Sequence, residues 1–200
     1  MGPAAVRLTG KASEARSFYR ALGLKEGAPG RWFDPAGHTL ILADSPEPPG
    51  AVLVWPGEPG VFYDLEGNLH RTEAVPDALP GAGPRLLGVL YAVVDLPDSI
   101  AWYERERGLA LTLFDPGSDW AELESEGGLS VLLTFGSGDE RRGVAVFQVP
   151  DAARWVEELR GKGLEPAWTR STAWGRLAAY ADPFGNPLLF IDRSGSGSGP

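Results

Sequence analysis

Apolar residues follow a helical period in three places. Between about Ala12 and Leu22, Ala15, Phe18, Tyr19 and Leu22 fall at i, i+3, i+4 and i+7 and share one face. Ser13 stands where a helix cap belongs and Gly23 where a helix ends. A second helix is predicted after Asp95, with Leu96, Ile100 and Tyr103 as its stripe and Gly108 as its stop. A third follows Pro150, with Asp151 as cap, Ala152, Trp155, Val156 and Leu159 on one face, and Gly163 at its end. Each helix has a β-rich run before it: Ala5–Thr9, Val89–Val94 and Val144–Val149. Each is also followed by strands. These are a Gly-interrupted stretch to Gly30, Arg31–Asp34 and His38–Ala43; then Leu109–Phe114, Trp120–Glu124 and Leu129–Phe135; then Pro166–Arg170, Arg176–Ala181 and Pro187–Asp192. The order is βαβββ, three times.

Local echoes strengthen the repeat. Phe18–Leu24 answers Trp102–Leu109 with one residue inserted, and Asp34-Pro35-Ala36-Gly37 answers Asp182-Pro183-Phe184-Gly185. The stretch Tyr63-Asp64-Leu65-Glu66-Gly67-Asn68-Leu69 matches the same turn but has no helix before it. Residues 46–85 are therefore expected to form a truncated repeat, with Pro76, Pro80 and Pro84 making a linker. The expected organisation is a degenerate half over 1–85, a complete two-repeat unit over 86–193, and a flexible Ser/Gly tail over 194–200. Gly136–Glu140 is expected to be the loop joining the last two repeats.

Composition narrows the chemistry. The chain has 200 residues and no cysteine, which removes disulfides, thiolate metal sites and Cys nucleophiles together. A cysteine-free chain with no basic-then-apolar leader fits a cytoplasmic protein, although secreted bacterial proteins also lack Cys. The net charge is −9 with the acidic residues scattered, so nucleic acid is not an expected partner, and no apolar run is long enough for a membrane span. No Gly-x-Ser-x-Gly elbow, P-loop or Gly-x-Gly-x-x-Gly precedes a helix, and no catalytic residue is identified.

Three local features resemble the vicinal oxygen chelate superfamily, which includes glyoxalases, bleomycin-resistance proteins and extradiol dioxygenases. One is Val93-Val94-Asp95-Leu96-Pro97-Asp98-Ser99 leading into Trp102-Tyr103. Another is the strand Trp120-Ala121-Glu122-Leu123-Glu124 with Gly128–Leu133 after it. The last is Gly175 followed by Tyr180-Ala181-Asp182-Pro183-Phe184-Gly185-Asn186-Pro187. The resemblance implies an α+β fold of βαβββ repeats whose strands form half-open curled sheets around a small-molecule cavity.

Metal-holding members of that superfamily place a His, Gln or Glu on the first strand of a repeat and a Glu on the last. The resemblance puts those positions at Gly88, near Val144 and near Ala4, and at Leu189. None of these side chains is a ligand, so no metal cofactor is expected; a divalent metal is the alternative. The chain has only two histidines. His38 and His70 are each expected at a surface or in a turn. His70 lies one residue before Arg71, the counterpart of a closing Glu, so a register shift would make it a metal candidate. Glu122 and Glu124 share a strand face with Trp120, turned either to the pocket or to water.

The family's strand geometry places Gly88, Leu90, Ala92, Leu177, Ala179, Leu189 and Ile191 on the concave side. It turns Val89, Tyr91, Val93 and Tyr180 toward the helices. An apolar concavity either binds a hydrophobic ligand or is filled as core. Trp168, Arg170 and Trp174, on a loop expected to overhang the cavity, favour binding. The expected ligand-binding set is Leu90, Trp120, Trp168, Arg170, Trp174, Ala179 and Leu189. The expected function is binding or sequestration of a small hydrophobic or aromatic molecule. The alternatives are a glyoxalase- or dioxygenase-type metalloenzyme using His70 with Glu122 or Glu124, and a ligand-free or dimerising scaffold. A homodimer is a possible assembly.

Overall fold

Three turns of one design set the strand pairings in the computed structural model, which describes residues 2–45, 47–73, 83–117, 119–125, 128–136, 142–172 and 175–192. Asp34, Asp64 and Asp182 each donate their backbone N–H to the carbonyl four residues on, at 3.1–3.2 Å. Each accepts that residue's N–H on its carboxylate, at 2.7, 2.8 and 2.9 Å respectively. The glycine at the third position after each aspartate has φ of 88°, 81° and 82°, a left-handed conformation that a side chain disfavours. The aspartate–glycine echo is thus one physical device used three times.

Around these turns run β1 (Ala5–Thr9), α1 (Ala12–Ala21), β2 (Lys25–Glu26), β3 (Arg31–Phe33) and β4 (Thr39–Ala43). Next come β5 (Ala51–Pro56), β6 (Gly60–Tyr63) and β7 (Leu69–Glu73). The second half holds β8 (Arg85–Val93), α2 (Leu96–Arg107), β9 (Ala110–Asp115), β10 (Trp120–Glu124) and β11 (Ser130–Phe135). It closes with β12 (Val144–Gln148), α3 (Ala152–Arg160), β13 (Trp168–Thr172), β14 (Gly175–Ala181) and β15 (Pro187–Ile191).

Asp95 and Asp151 cap α2 and α3, accepting from Asp98 N and from Ala153 and Arg154 N. Ser13 does not cap α1. Lys11 takes the N-cap position with extended backbone and makes no side-chain cap bond, which leaves Ser13 inside the first turn. β13 starts two residues later than the apolar pattern placed it, and β8 starts earlier, at Arg85. Of the proposed linker, Pro76 and Pro80 lie outside the described residues, as do 137–140 of the joining loop and the tail 194–200.

The strands form two sheets. The first has order β2-β3-β4-β1-β5-β7-β6 and the second β13-β14-β15-β12-β8-β11-β10-β9. In both, two repeats meet through antiparallel first strands, β1 on β5 and β8 on β12. In both, each first strand also lies parallel to its repeat's last strand. The second repeat runs from β5 into β6 through residues 57–59 alone. It therefore lacks a helix and the outer strand that β2, β9 and β13 supply elsewhere, and its sheet ends at β6.

One apolar layer joins the two sheets and the helices. Val6 and Leu8, Leu53 and Trp55, and Val89, Tyr91 and Val93 enter it, with Tyr19 and Tyr103 from the helices. Burial of each large side chain is worth roughly 1.5–3 kcal/mol. Tyr91 meets the first sheet rather than a helix: its hydroxyl accepts from Leu53 N at 3.1 Å and donates to Leu69 O at 3.3 Å. Tyr180 does lie on the α3 side, edge-on to Phe190, which also meets Trp155. A two-way backbone bridge between Ala51 and Gly143, at 2.7 and 2.9 Å, ties the sheets directly. A Cβ at Gly143 would lie 2.5 Å from Leu90 O and 2.3 Å from Val89 Cγ1, so only glycine permits this approach. No helix among the described residues is long and apolar enough to cross a membrane.

Candidate functional site

The strand alternation that sends Val89, Tyr91 and Val93 into the shared layer sends Leu90 the other way. On that outer face, Leu90, Val144 and Ala179 pack against a buried cluster that includes Trp120, Leu132, Val146, Leu177, Leu189 and Ile191. Above it lies a cavity of about 870 Å³. Leu90, Val144, Leu177, Ala179 and Leu189 form its floor, with Trp120 of β10 and Trp168 of β13 also lining it. Asp115 and Asp119 border it at the β9–β10 turn, and Arg170, Ser171 and Thr172 border it on β13. Six of the seven sequence-expected binding residues thus meet in one cavity: Leu90, Trp120, Trp168, Arg170, Ala179 and Leu189. The seventh, Trp174, lies outside the described residues. Asp115 and Asp119 were not legible as rim residues, because membership of the rim depends on where the β9–β10 turn projects.

Trp120 is held in place from below. Its Nε1 donates to Glu122 Oε1 at 2.8 Å, and Glu122 is only 1% exposed. Glu122 therefore does not present its charge to water, the commoner fate of such a strand. It lies on Trp120's side of the strand, between Leu113 and Leu132 on the neighbouring strands. Glu124 is half-buried and accepts from Ser130 Oγ at 3.1 Å.

The positions where a metal would be held carry no donors. Val144 and Leu189 line the cavity as apolar side chains. Gly88 sits at a bulge, where the β8–β12 register shifts between Val146 and Phe147. Leu87 is the inserted residue and joins the outer apolar cluster. A Cβ on Gly88 would fall 1.9 Å from the Ser130 carbonyl oxygen, so that position turns against β11 rather than into the concavity. Among the described residues, no group of three or more His, Asp and Glu is arranged to hold a metal ion. The residues present do not fit a metal here.

His70 is far from this role. It is fully buried in the shared layer, not at a surface or in a turn as expected. It faces Trp55, Phe62, Tyr91 and Tyr103. Trp55 Nε1, which can only donate, points at Nδ1 at 3.3 Å, and Nε2 lies 2.9 Å from the Tyr103 hydroxyl. The ring is therefore the neutral Nε2–H tautomer, with both nitrogens used. Burial lowers its pKa, the nearby Arg107 adds to this, and Asp64 opposes it. His70 and Glu122 stand on different sheets and do not form a joint metal site. His38 stays in its turn, with Nδ1 3.1 Å from Asp34 Oδ2.

On the first sheet Arg7 of β1 pairs with Glu73 of β7 at 3.0 Å. A second cavity, of about 810 Å³, lies where the sheets meet. Its Arg142 is already bound to Glu47, Thr9 and Gly50.

Neither a protein-family model nor a curated protein sequence matches the chain. Solved structures do. The native homoprotocatechuate 2,3-dioxygenase of Arthrobacter globiformis superposes with a TM-score of 0.68 at 13% identity, over 100% of this chain and 83% of that one. An extradiol ring-cleaving dioxygenase from B. fuscum gives 0.67 at 14% identity, over 100% of this chain and 74% of that one. The Mn(II)-bound glyoxalase of Novosphingobium aromaticivorans gives 0.63 at 13% identity, over 94% and 80%. At these identities the likeness establishes the fold and leaves the activity open.

Proposed function

We propose that this chain, whose fold is that of the vicinal oxygen chelate superfamily, is a metal-independent binding protein. It takes a small, flat, largely hydrophobic or aromatic molecule onto the concave face of the second sheet, in the sequestering manner of bleomycin-resistance proteins. One observation carries this: the cavity between Trp120 and Trp168 has apolar side chains, Val144 and Leu189, where a metalloenzyme would place ligands. Its volume falls within the usual range for small-molecule sites, and aromatic walls over an apolar floor match a planar ligand. The Glu122 bond fixes the Trp120 indole before any ligand arrives, which reduces the ordering cost of binding.

The test is titration with N-phenyl-1-naphthylamine, a neutral aromatic fluorophore, after exhaustive chelation. The expected result is saturable binding with a rise in probe emission and quenching of Trp fluorescence. Trp168→Ala is expected to weaken it about tenfold or more, a loss of roughly 1.4 kcal/mol. Binding that requires added metal, or no binding at all, overturns the proposal.

A further inference from the structure

We infer that the molecule taken into this cavity is anionic at one end, and that the anionic end lies against arginines at the β13–β14 edge. This rests on the binding role proposed above and adds the ligand's charge and its orientation.

The observation is a continuity between two hollows. A groove of about 420 Å³ lies between α3 and the β13–β14 hairpin. It shares Arg170, Ser171 and Leu177 with the large cavity, so the two hollows adjoin at that hairpin. Arg154, Arg160, Arg170 and Arg176 all border the groove. Arg154 is paired with Glu158 at 2.9 Å, and Arg160 with Glu157 and Glu165 at 2.8 and 3.0 Å. Arg170 and Arg176 form no ion pair among the described residues. Two guanidinium groups without an ion pair therefore stand at the hairpin where the hollows adjoin, Arg170 lining both hollows and Arg176 the groove, in a chain of net charge −9.

The other end has the opposite sign, because Asp119 borders the cavity at the β9–β10 turn. With screening over roughly 8 Å at physiological salt, each end acts locally and the chain's net charge does not cancel the arginines. The cavity is polarised along its length. A ligand with a sulfonate, carboxylate or phosphate at one end would enter with that end toward β13 and its flat apolar part between the tryptophans. Guanidinium suits such groups through paired N–H donors. The start of α3 does not supply the anion site, since its first amides are taken: Ala152 N by Asp192, and Ala153 and Arg154 N by Asp151.

The experiment compares two probes built on the same ring system. They are neutral N-phenyl-1-naphthylamine and 8-anilinonaphthalene-1-sulfonate, titrated into the full-length protein. The sulfonate is expected to bind roughly tenfold more tightly, as a charge-assisted contact allows. The preference should shrink as salt rises from 50 to 500 mM, values chosen to span the screening range. It should fall in Arg176→Ala, with the neutral probe's affinity unchanged, and disappear in Arg170→Ala combined with Arg176→Ala, where the two probes should bind with equal affinity. Both arginines are exposed, so the substitutions are not expected to disturb folding. Equal affinity for the two probes, or a sulfonate preference that survives the double substitution, overturns this inference and leaves the binding role standing. If neither probe binds, both fall.

Discussion

Tyr103 donates its phenolic proton to Asp64 across the shared layer, at 2.6 Å, and so latches α2 to the turn of the truncated repeat. Tyr19 of α1 does the same to Asp182, at 2.7 Å, in the last repeat. Each aspartate also accepts from an asparagine four residues on, Asn68 at 2.9 Å and Asn186 at 2.8 Å. Burial, then the neighbouring carboxylate, pushes both phenols well above the usual tyrosine range, so they stay protonated donors.

Removing either hydroxyl withdraws one donor from a buried carboxylate. Tyr103→Phe and Tyr19→Phe are each expected to cost about 1.5–3 kcal/mol, the range for a hydrogen bond to a charged group. Urea unfolding followed by tryptophan emission measures this. Two near-neutral substitutions would mean the latches carry no stability.

His70 gives the fold a dependence on acid. Its folded-state pKa lies below its ordinary value of 6.5, chiefly through burial, so folding favours the neutral ring. Above about pH 6.5 that stability is fully present. As pH falls below 6.5 the unfolded chain takes up a proton that the folded chain resists, and stability declines until the folded-state pKa is passed. Asp64 also has a lowered pKa: burial raises it, but the nearby His70 and the bonds from Tyr103 and Asn68 more than offset that. Its loss follows at still lower pH. Melting temperatures between pH 7.5 and 5 should fall, and His70→Gln, though less stable overall, should flatten that slope.

Gly88 tests the account of the missing metal site. Gly88→Ala places a methyl group against the Ser130 carbonyl and is expected to destabilise by at least about 1–3 kcal/mol, as overpacking does. Manganese, iron or zinc at tenfold molar excess should leave the wild-type melting temperature unchanged. Stoichiometric metal in protein purified without chelator, lost in His70→Ala, would contradict the placement of both residues.

Glu122 is expected to matter through Trp120. Glu122→Gln keeps an acceptor for the indole and should preserve probe affinity. Glu122→Ala leaves the indole N–H without this partner at the cavity wall, and stability should drop by about 1–3 kcal/mol. Probe binding should weaken in parallel, read by the same fluorescence titration. Unchanged binding in the alanine variant would remove Glu122 as a positioning residue.

Periodicity made the three helices legible in the sequence, and the aspartate–glycine echo exposed the turns, because both are local. Concave-face residues such as Leu90, Ala179 and Leu189 followed from alternation, which holds wherever a strand is regular. The expectations failed where a contact spans the chain or a strand is irregular. His70 reads as an ordinary polar residue until Trp55, 15 residues away, and Tyr103, 33 away, close over it. Glu122 reads as facing either the pocket or water until Trp120 folds onto its carboxylate. The bulge at Leu87 and Gly88 has no sequence signature beyond the glycine itself, and it decides where that position points.

The tyrosine latches and the Ala51–Gly143 bridge also determine how the chain comes apart. Each latch joins elements on opposite sides of the break between β7 and β8. Severed there, the second half would keep Asp182 without the phenol it binds, and the first would keep Asp64 without its own. Both would turn apolar faces, Leu53 on one and Val89 on the other, toward water. The two sheets should therefore melt together in one calorimetric transition, with van't Hoff and calorimetric enthalpies equal. Cooperativity, more than the number of sheets, defines the unit of folding here.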